Sequence, residues 1–151
     1  MVSVNPGSLK KSAAVGPGAT HAAMLMGRLL RTVRASLADE DWDGLRQSHL
    51  RLLSEVPPDG STITDLGERL GMTKQASGQF VRQLVSTGHL RVTGDSADRR
   101  SRIVLRTRLG DRTHVAATER VRQVESQWAE RVGVRRYAQF RAVLDDLAAP
   151  E

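Results

Sequence analysis

The residues most able to do chemistry in this sequence lie in two clusters. The first is DSADRRSRIVLRTRLG, running from Asp95 to Gly110. Within it Arg99, Arg100, Arg102, Arg106 and Arg108 fall inside ten positions without an intervening acid. The second is TKQASGQFVRQ, from Thr73 to Gln83, where Lys74, Gln75, Ser77, Gly78, Gln79, Arg82 and Gln83 recur at helical spacing, again with no acid. Guanidinium and ammonium groups clustered in this way neutralise phosphates. Glutamine amides carry a donor and an acceptor together and can match the edge of a base. The chemistry on offer is polyanion binding.

The charge distribution agrees. Residues 61–110 hold nine Lys or Arg against four Asp or Glu, so most of the chain's net charge of +6 is concentrated in one third of its 151 residues. A local excess of that kind is the electrostatic footprint of a nucleic-acid binder. Other chemistries lack their residues. The absence of cysteine excludes disulfides and thiol catalysis. The histidines (His21, His49, His89 and His114) are widely separated without metal-ligand spacing. With no nucleophile–base pair, carboxylate dyad or phosphate-cradling glycine loop, neither an enzyme nor any metal or cofactor is expected. No apolar run is long enough for a membrane helix and no secretory signal is visible, so the cytoplasm is the expected compartment.

The elements that must carry the two clusters can be read from periodicity. Residues 1–19, rich in Gly, Pro and Ser, read as a loose tail. From Thr20, apolar residues at Ala23, Met26, Leu29, Leu30, Val33 and Leu37 form one helical stripe. A second helix places Leu45, His49, Leu52, Leu53 and Val56 on one face, with Asp41 or Asp43 as its expected cap. Thr62 then opens a short helix in capping-box fashion with Asp65, and Gly71 closes it. Thr73 caps the next, whose inward set is Ala76, Phe80, Val81, Leu84 and Val85. In HLRVT, Leu90 and Val92 oppose Arg91 and Thr93. In RIVLRTR, Ile103 and Leu105 are expected inward, opposite Arg102, Val104 and Arg106. Later helices are marked by Val115, Val121, Val124, Trp128 and Val132, and by Tyr137, Phe140, Val143, Leu144 and Leu147.

Helix, helix, strand, basic loop, strand is the order of a winged helix-turn-helix. The expected fold is therefore mainly α with a small β-hairpin wing, a single domain over 20–151. Residues 61–110 form its nucleic-acid-binding lobe. Helices at 20–38 and 111–148 carry more apolar surface than so small a domain can cover, and are expected to pair two chains into a homodimer.

These residues resemble the MarR family of bacterial transcriptional regulators over roughly Thr20 to Leu147. Asp95, Asp98, Arg99, Arg100, Thr107 and Gly110 stand at the places of the family's wing signature. GMTKQASGQFVRQL is similar to the recognition helix of a subset of the family, and TDLGERLG to the helix before it, with Gly67 where Ala is usual. Arg106, His89 and Ser61 depart from the family pattern, which has Leu, an apolar or aromatic residue, and more often Leu at these places. The resemblance implies an intertwined dimer, often a repressor released from DNA by small anionic aromatic ligands.

The expected DNA-binding residues are Thr62, Thr73, Lys74, Gln75, Ser77, Gly78, Gln79 and Arg82, with Arg99, Arg100 and Arg102 from the wing. Asp98 is expected to pair with an arginine and fix the loop, and Asp95 to set the turn. By resemblance, the crevice between the first two helices and the DNA-binding lobe would take the effector, with Trp42, Arg46 and His49 as candidates. The expected partner is a duplex operator, palindromic to match the dimer. Two alternatives remain at this level, a winged-helix protein–protein adaptor and a structural DNA binder without sequence preference. An adaptor would show apolar residues on the outward face from Lys74 to Gln83, where this sequence has Lys, Gln, Ser, Gly and Arg.

Overall fold

The computed structural model describes residues 20–94 and 102–149. Six helices and one two-stranded sheet follow in the order α1 (Ala22–Ala38), α2 (Gln47–Glu55), α3 (Ile63–Leu70), α4 (Lys74–Ser86), β1 (Leu90–Thr93), β2 (Ile103–Arg106), α5 (Arg108–Val132) and α6 (Val134–Ala148). This is the expected winged helix-turn-helix, flanked by a terminal helix on one side and two on the other.

The core gathers around α2. Leu50, Leu52, Leu53 and Val56 meet Leu66 and Leu70 of α3, Val81 and Leu84 of α4, Leu90 of β1 and Val104 of β2. With almost no aromatic residues available, leucine does the packing, each fully buried side chain contributing about 1.5–3 kcal/mol.

The start of α2 departs from expectation. Asp43 sits at φ 54 in a turn with Gly44 (φ 77) and caps nothing. The helix begins later, with Arg46 in the capping position, and the acceptor for its backbone N–H is His49 Nδ1 at 2.9 Å. Trp42, in the same turn, donates from Nε1 to Leu37 O at 2.7 Å, tying the end of α1 to the turn.

The wing strands pair antiparallel, with Leu90 opposite Arg106, Val92 opposite Val104 and Thr93 opposite Ile103. Val104 is fully buried, while Ile103 and Leu105 are only half-buried. The inward face of β2 is thus Val104 and Arg106, the reverse of the assignment from alternation. The cause is a third chain segment. Ser61 bonds Val104 on its free edge through both backbone groups, at 3.0 and 2.8 Å, and draws that residue into the core. Arg106, expected on the open face, turns inward and donates to the carbonyls of Leu53 and Val56 at the end of α2.

Candidate nucleic-acid interface

Two hydroxyl caps set the geometry of the interface. Thr62 Oγ1 accepts from the Asp65 N–H at 3.1 Å and starts α3, while Thr73 Oγ1 accepts from the Ala76 N–H at 3.2 Å and starts α4. Both hydroxyls are therefore engaged in helix capping. Gly71, at φ 63, ends α3 in the left-handed conformation that glycine adopts without strain. The two helices then cross closely at small residues. A Cβ on Gly67 would lie 3.0 Å from Ser77 Oγ, which is itself within 3.2 Å of the carbonyls of Ile63, Thr73 and Lys74.

That crossing corrects the outward face. Ser77 and Gly78, expected there, are buried, Ser77 completely, because they form the seam against α3. Val85, expected inward, is 39% exposed. The residues α4 presents to solvent are Lys74, Gln75, Gln79, Arg82 and Gln83, with Val85 and Ser86 at its end, and Gln75, Gln79 and Arg82 stack along one stripe at four- and three-residue spacing. No carboxylate lies on α4, so nothing on the helix itself would repel phosphate.

On the wing, Arg102 is exposed just before β2, and Arg91 is exposed on β1. The alternation in HLRVT already marked Arg91 as outward, although it was not among the expected site residues. Asp95, Asp98, Arg99 and Arg100 lie outside the described residues.

Other arginines of the lobe serve structure. Arg69 donates to Glu55 O at 3.0 Å and Ser61 Oγ at 2.7 Å, and Arg51 donates to Leu70 O at 3.2 Å. Ser61 and Arg106, two of the departures from the family pattern, thus belong to a set of polar contacts that pins the wing and the end of α2. The third, His89, is 1% exposed, with Nδ1 2.9 Å from Thr87 Oγ1.

The three effector candidates do not converge on one cavity. His49 is 2% exposed and both of its ring nitrogens are bonded, Nδ1 to the Arg46 N–H and Nε2 to Gln83 Oε1 at 2.9 Å. Arg46 is exposed. Trp42 lines a crevice of about 470 Å³ in which Arg112 and Arg120 are outnumbered by Glu40, Asp41, Asp43 and Glu119. A different crevice, of about 680 Å³, lies where α1, α2 and α5 meet. Its apolar walls include Leu30, Val33, Leu37, Leu50, Met72 and Val121, its cations are Arg34 and Arg51, and no carboxylate lines it. None of the three candidates lines this crevice.

Residues 44–101, from the start of α2 into the wing, match the sequence profile of the MarR family. No curated protein matches the sequence. Solved structures with the same fold include a MarR-family transcriptional regulator from Rhodococcus sp. RHA1, 21% identical, with a TM-score of 0.66 over 85% of this chain and 91% of that one. CouR from Rhodococcus jostii RHA1, solved bound to p-coumaroyl-CoA, is 23% identical with a TM-score of 0.64 over 85% and 90%. The reduced form of MarR from E. coli is 15% identical with a TM-score of 0.71 over 88% and 100%.

Proposed function

We propose that this winged-helix chain, whose residues 44–101 match the MarR-family profile, is a sequence-specific duplex-DNA-binding transcriptional regulator. The observation that carries this reading is the exposed face of α4. Lys74, Gln75, Gln79 and Arg82 offer amides for base edges and cations for phosphate, with no carboxylate on the helix, beside a wing that exposes Arg91 and Arg102. An adaptor would need apolar anchors on that stripe, and it has none. A purely structural DNA binder has no use for paired glutamines.

The acting species is a homodimer. Among the described residues neither α1 nor α6 has a buried residue, yet they expose Met24, Leu25, Leu30, Val134, Val143 and Leu147. A second copy covering these helices removes that surface from water and sets two α4 helices against two half-sites of a palindrome.

The protein is a repressor released by a small anionic amphiphile bound in the 680 Å³ crevice, where Arg34 and Arg51 receive the charge and the leucine and valine walls receive an aromatic or acyl body. CouR, a structural relative, is seen with an aromatic acyl-CoA thioester, which has this chemical character. Selection of bound sites from random duplexes tests the reading. A palindromic consensus supports it, and recovery of unrelated sequences with equal affinity contradicts it.

A further inference from the structure

His49 Nδ1 accepts the Arg46 backbone N–H at 2.9 Å, so that nitrogen carries no hydrogen and Nε2 must be the donor. Its acceptor is Gln83 Oε1, also at 2.9 Å. The ring is 2% exposed, and Phe80 of α4 holds it edge-to-face, with centroids 5.1 Å apart and planes at 72°. The ring is therefore fixed by α2 and Phe80, and the ring in turn orients the amide.

Gln83 itself is exposed and lies one turn beyond Gln79 on α4, a spacing that makes the two side chains neighbours. A free glutamine can flip its amide and satisfy either a donor or an acceptor edge. With its oxygen held by His49, the Gln83 amide can no longer flip, and its NH2 group is the end left free to meet a ligand.

Building on the DNA-binding reading above, we propose that His49 is a positioning residue that makes Gln83 a fixed hydrogen-bond donor at the DNA face, so that Gln83 selects a base presenting an acceptor in the major groove. Guanine N7 and O6, adenine N7 and thymine O4 are such acceptors, whereas the cytosine amino group is a donor and is rejected. Gln47 and Ser48, in the same first turn of α2, line the 680 Å³ crevice, so its occupant touches the turn that sets the Gln83 amide.

Two substitutions at His49 separate its two bonds. In His49→Gln the side-chain amide N–H can reach the place of Nε2 and keep the bond to Gln83. In His49→Asn the carbonyl can replace Nδ1 toward Arg46, but the side chain is too short for Gln83. The measurement is binding of the wild type, both His49 variants and Gln83→Leu to a site-selected duplex, to its single-base variants and to scrambled DNA, with thermal melting alongside.

The wild type and His49→Gln should share a preference at one base pair of each half-site. His49→Asn and Gln83→Leu should lose about 2–10-fold of discrimination there, the worth of one hydrogen bond, while keeping discrimination elsewhere. Gln83→Leu, at an exposed position, keeps the test readable if a His49 variant folds poorly, and its melting curve reports the cost of leaving His49 Nε2 without an acceptor. Unchanged discrimination in His49→Asn and Gln83→Leu overturns the proposal. So does a loss spread evenly over all positions in step with melting temperature, which marks His49 as a packing residue only. A wild type without preference for any duplex overturns the DNA-binding reading itself, and this proposal with it.

Discussion

Arg106 Nε lies 2.8 Å from Asp111 Oδ1, and the same guanidinium donates to the carbonyls of Leu53 and Val56. One side chain thus joins the second wing strand to the end of α2 and the first turn of α5. Replacing it with leucine strips partners from two carbonyls next to the core, so Arg106→Leu should destabilise the fold by about 1–3 kcal/mol in urea titration. Asp111→Asn should cost less than about 1 kcal/mol, because that carboxylate is 59% exposed and well screened. An unchanged urea midpoint for Arg106→Leu would mean that the carbonyls need no protein partner.

Two glycines should respond in opposite directions to alanine. A Cβ on Gly110 would meet His89 O at 2.1 Å, a backbone atom that cannot move aside cheaply, so Gly110→Ala should destabilise by about 3 kcal/mol or more. A Cβ on Gly78 would find only Arg82 Nη1 at 3.5 Å and Ile63 Cγ2 at 4.0 Å, ordinary contact distances. Gly78→Ala should stabilise α4 by about 0.5–1 kcal/mol, read as a rise in melting temperature. A fall would reveal a constraint on α4 beyond packing.

Stability should depend on pH through His114, whose Nδ1 is buried without a partner among the described residues. Burial first, and then the Arg106 guanidinium, hold its pKa below the usual histidine range, with Asp111 partly opposing them. Between that lowered value and the ordinary one of about 6.5, the unfolded chain binds more protons than the folded chain, so stability rises with pH across the window and is lost as pH falls through it. Urea midpoints from about pH 5 to 8 should show this slope, and His114→Gln should flatten it. Equal slopes in the two proteins would remove His114 from the account.

Dimerisation should yield to charge on the exposed apolar helices. Leu30 is 54% exposed and Leu147 is 75% exposed, so neither is needed for the fold of one chain. Glutamate at both positions should convert a sedimenting dimer into a folded monomer with little change in helical circular dichroism. A wild type that is monomeric at micromolar concentration, or a double variant that stays dimeric, would show that the second copy does not sit on this surface.

Much of the architecture could be read because caps and stops are local. Thr62, Gly71 and Thr73 set the turn between the helices by their own hydrogen bonds and backbone freedom, and sequence alone located them. The errors arose where a distant segment decided the outcome. β2 is apolar on both faces, so alternation could not choose between Val104 and its neighbours, and the choice fell to Ser61, more than forty residues away. Small residues do not announce which side they face. Ser77 and Gly78 look like a polar surface in sequence but are buried, with Ser77 packed so closely on Gly67 of α3 that a Cβ there would lie 3.0 Å from its hydroxyl. His49 lies on the apolar face of α2 that spacing assigns it, but its link to Gln83 on α4 has no signature in spacing.

Base reading by α4 is tested most directly by salt titration of the wild type, Gln79→Ala and Arg102→Ala on a site-selected duplex and on scrambled DNA. Gln79→Ala should lose about 1–3 kcal/mol on the selected duplex, with preference flattened at one base pair per half-site and the salt slope unchanged. Arg102→Ala should weaken both duplexes alike and make the slope shallower by about one unit per phosphate contact removed. If Gln79→Ala keeps full discrimination while Arg102→Ala loses it at a single base pair with its slope intact, then the wing reads the sequence and α4 does not.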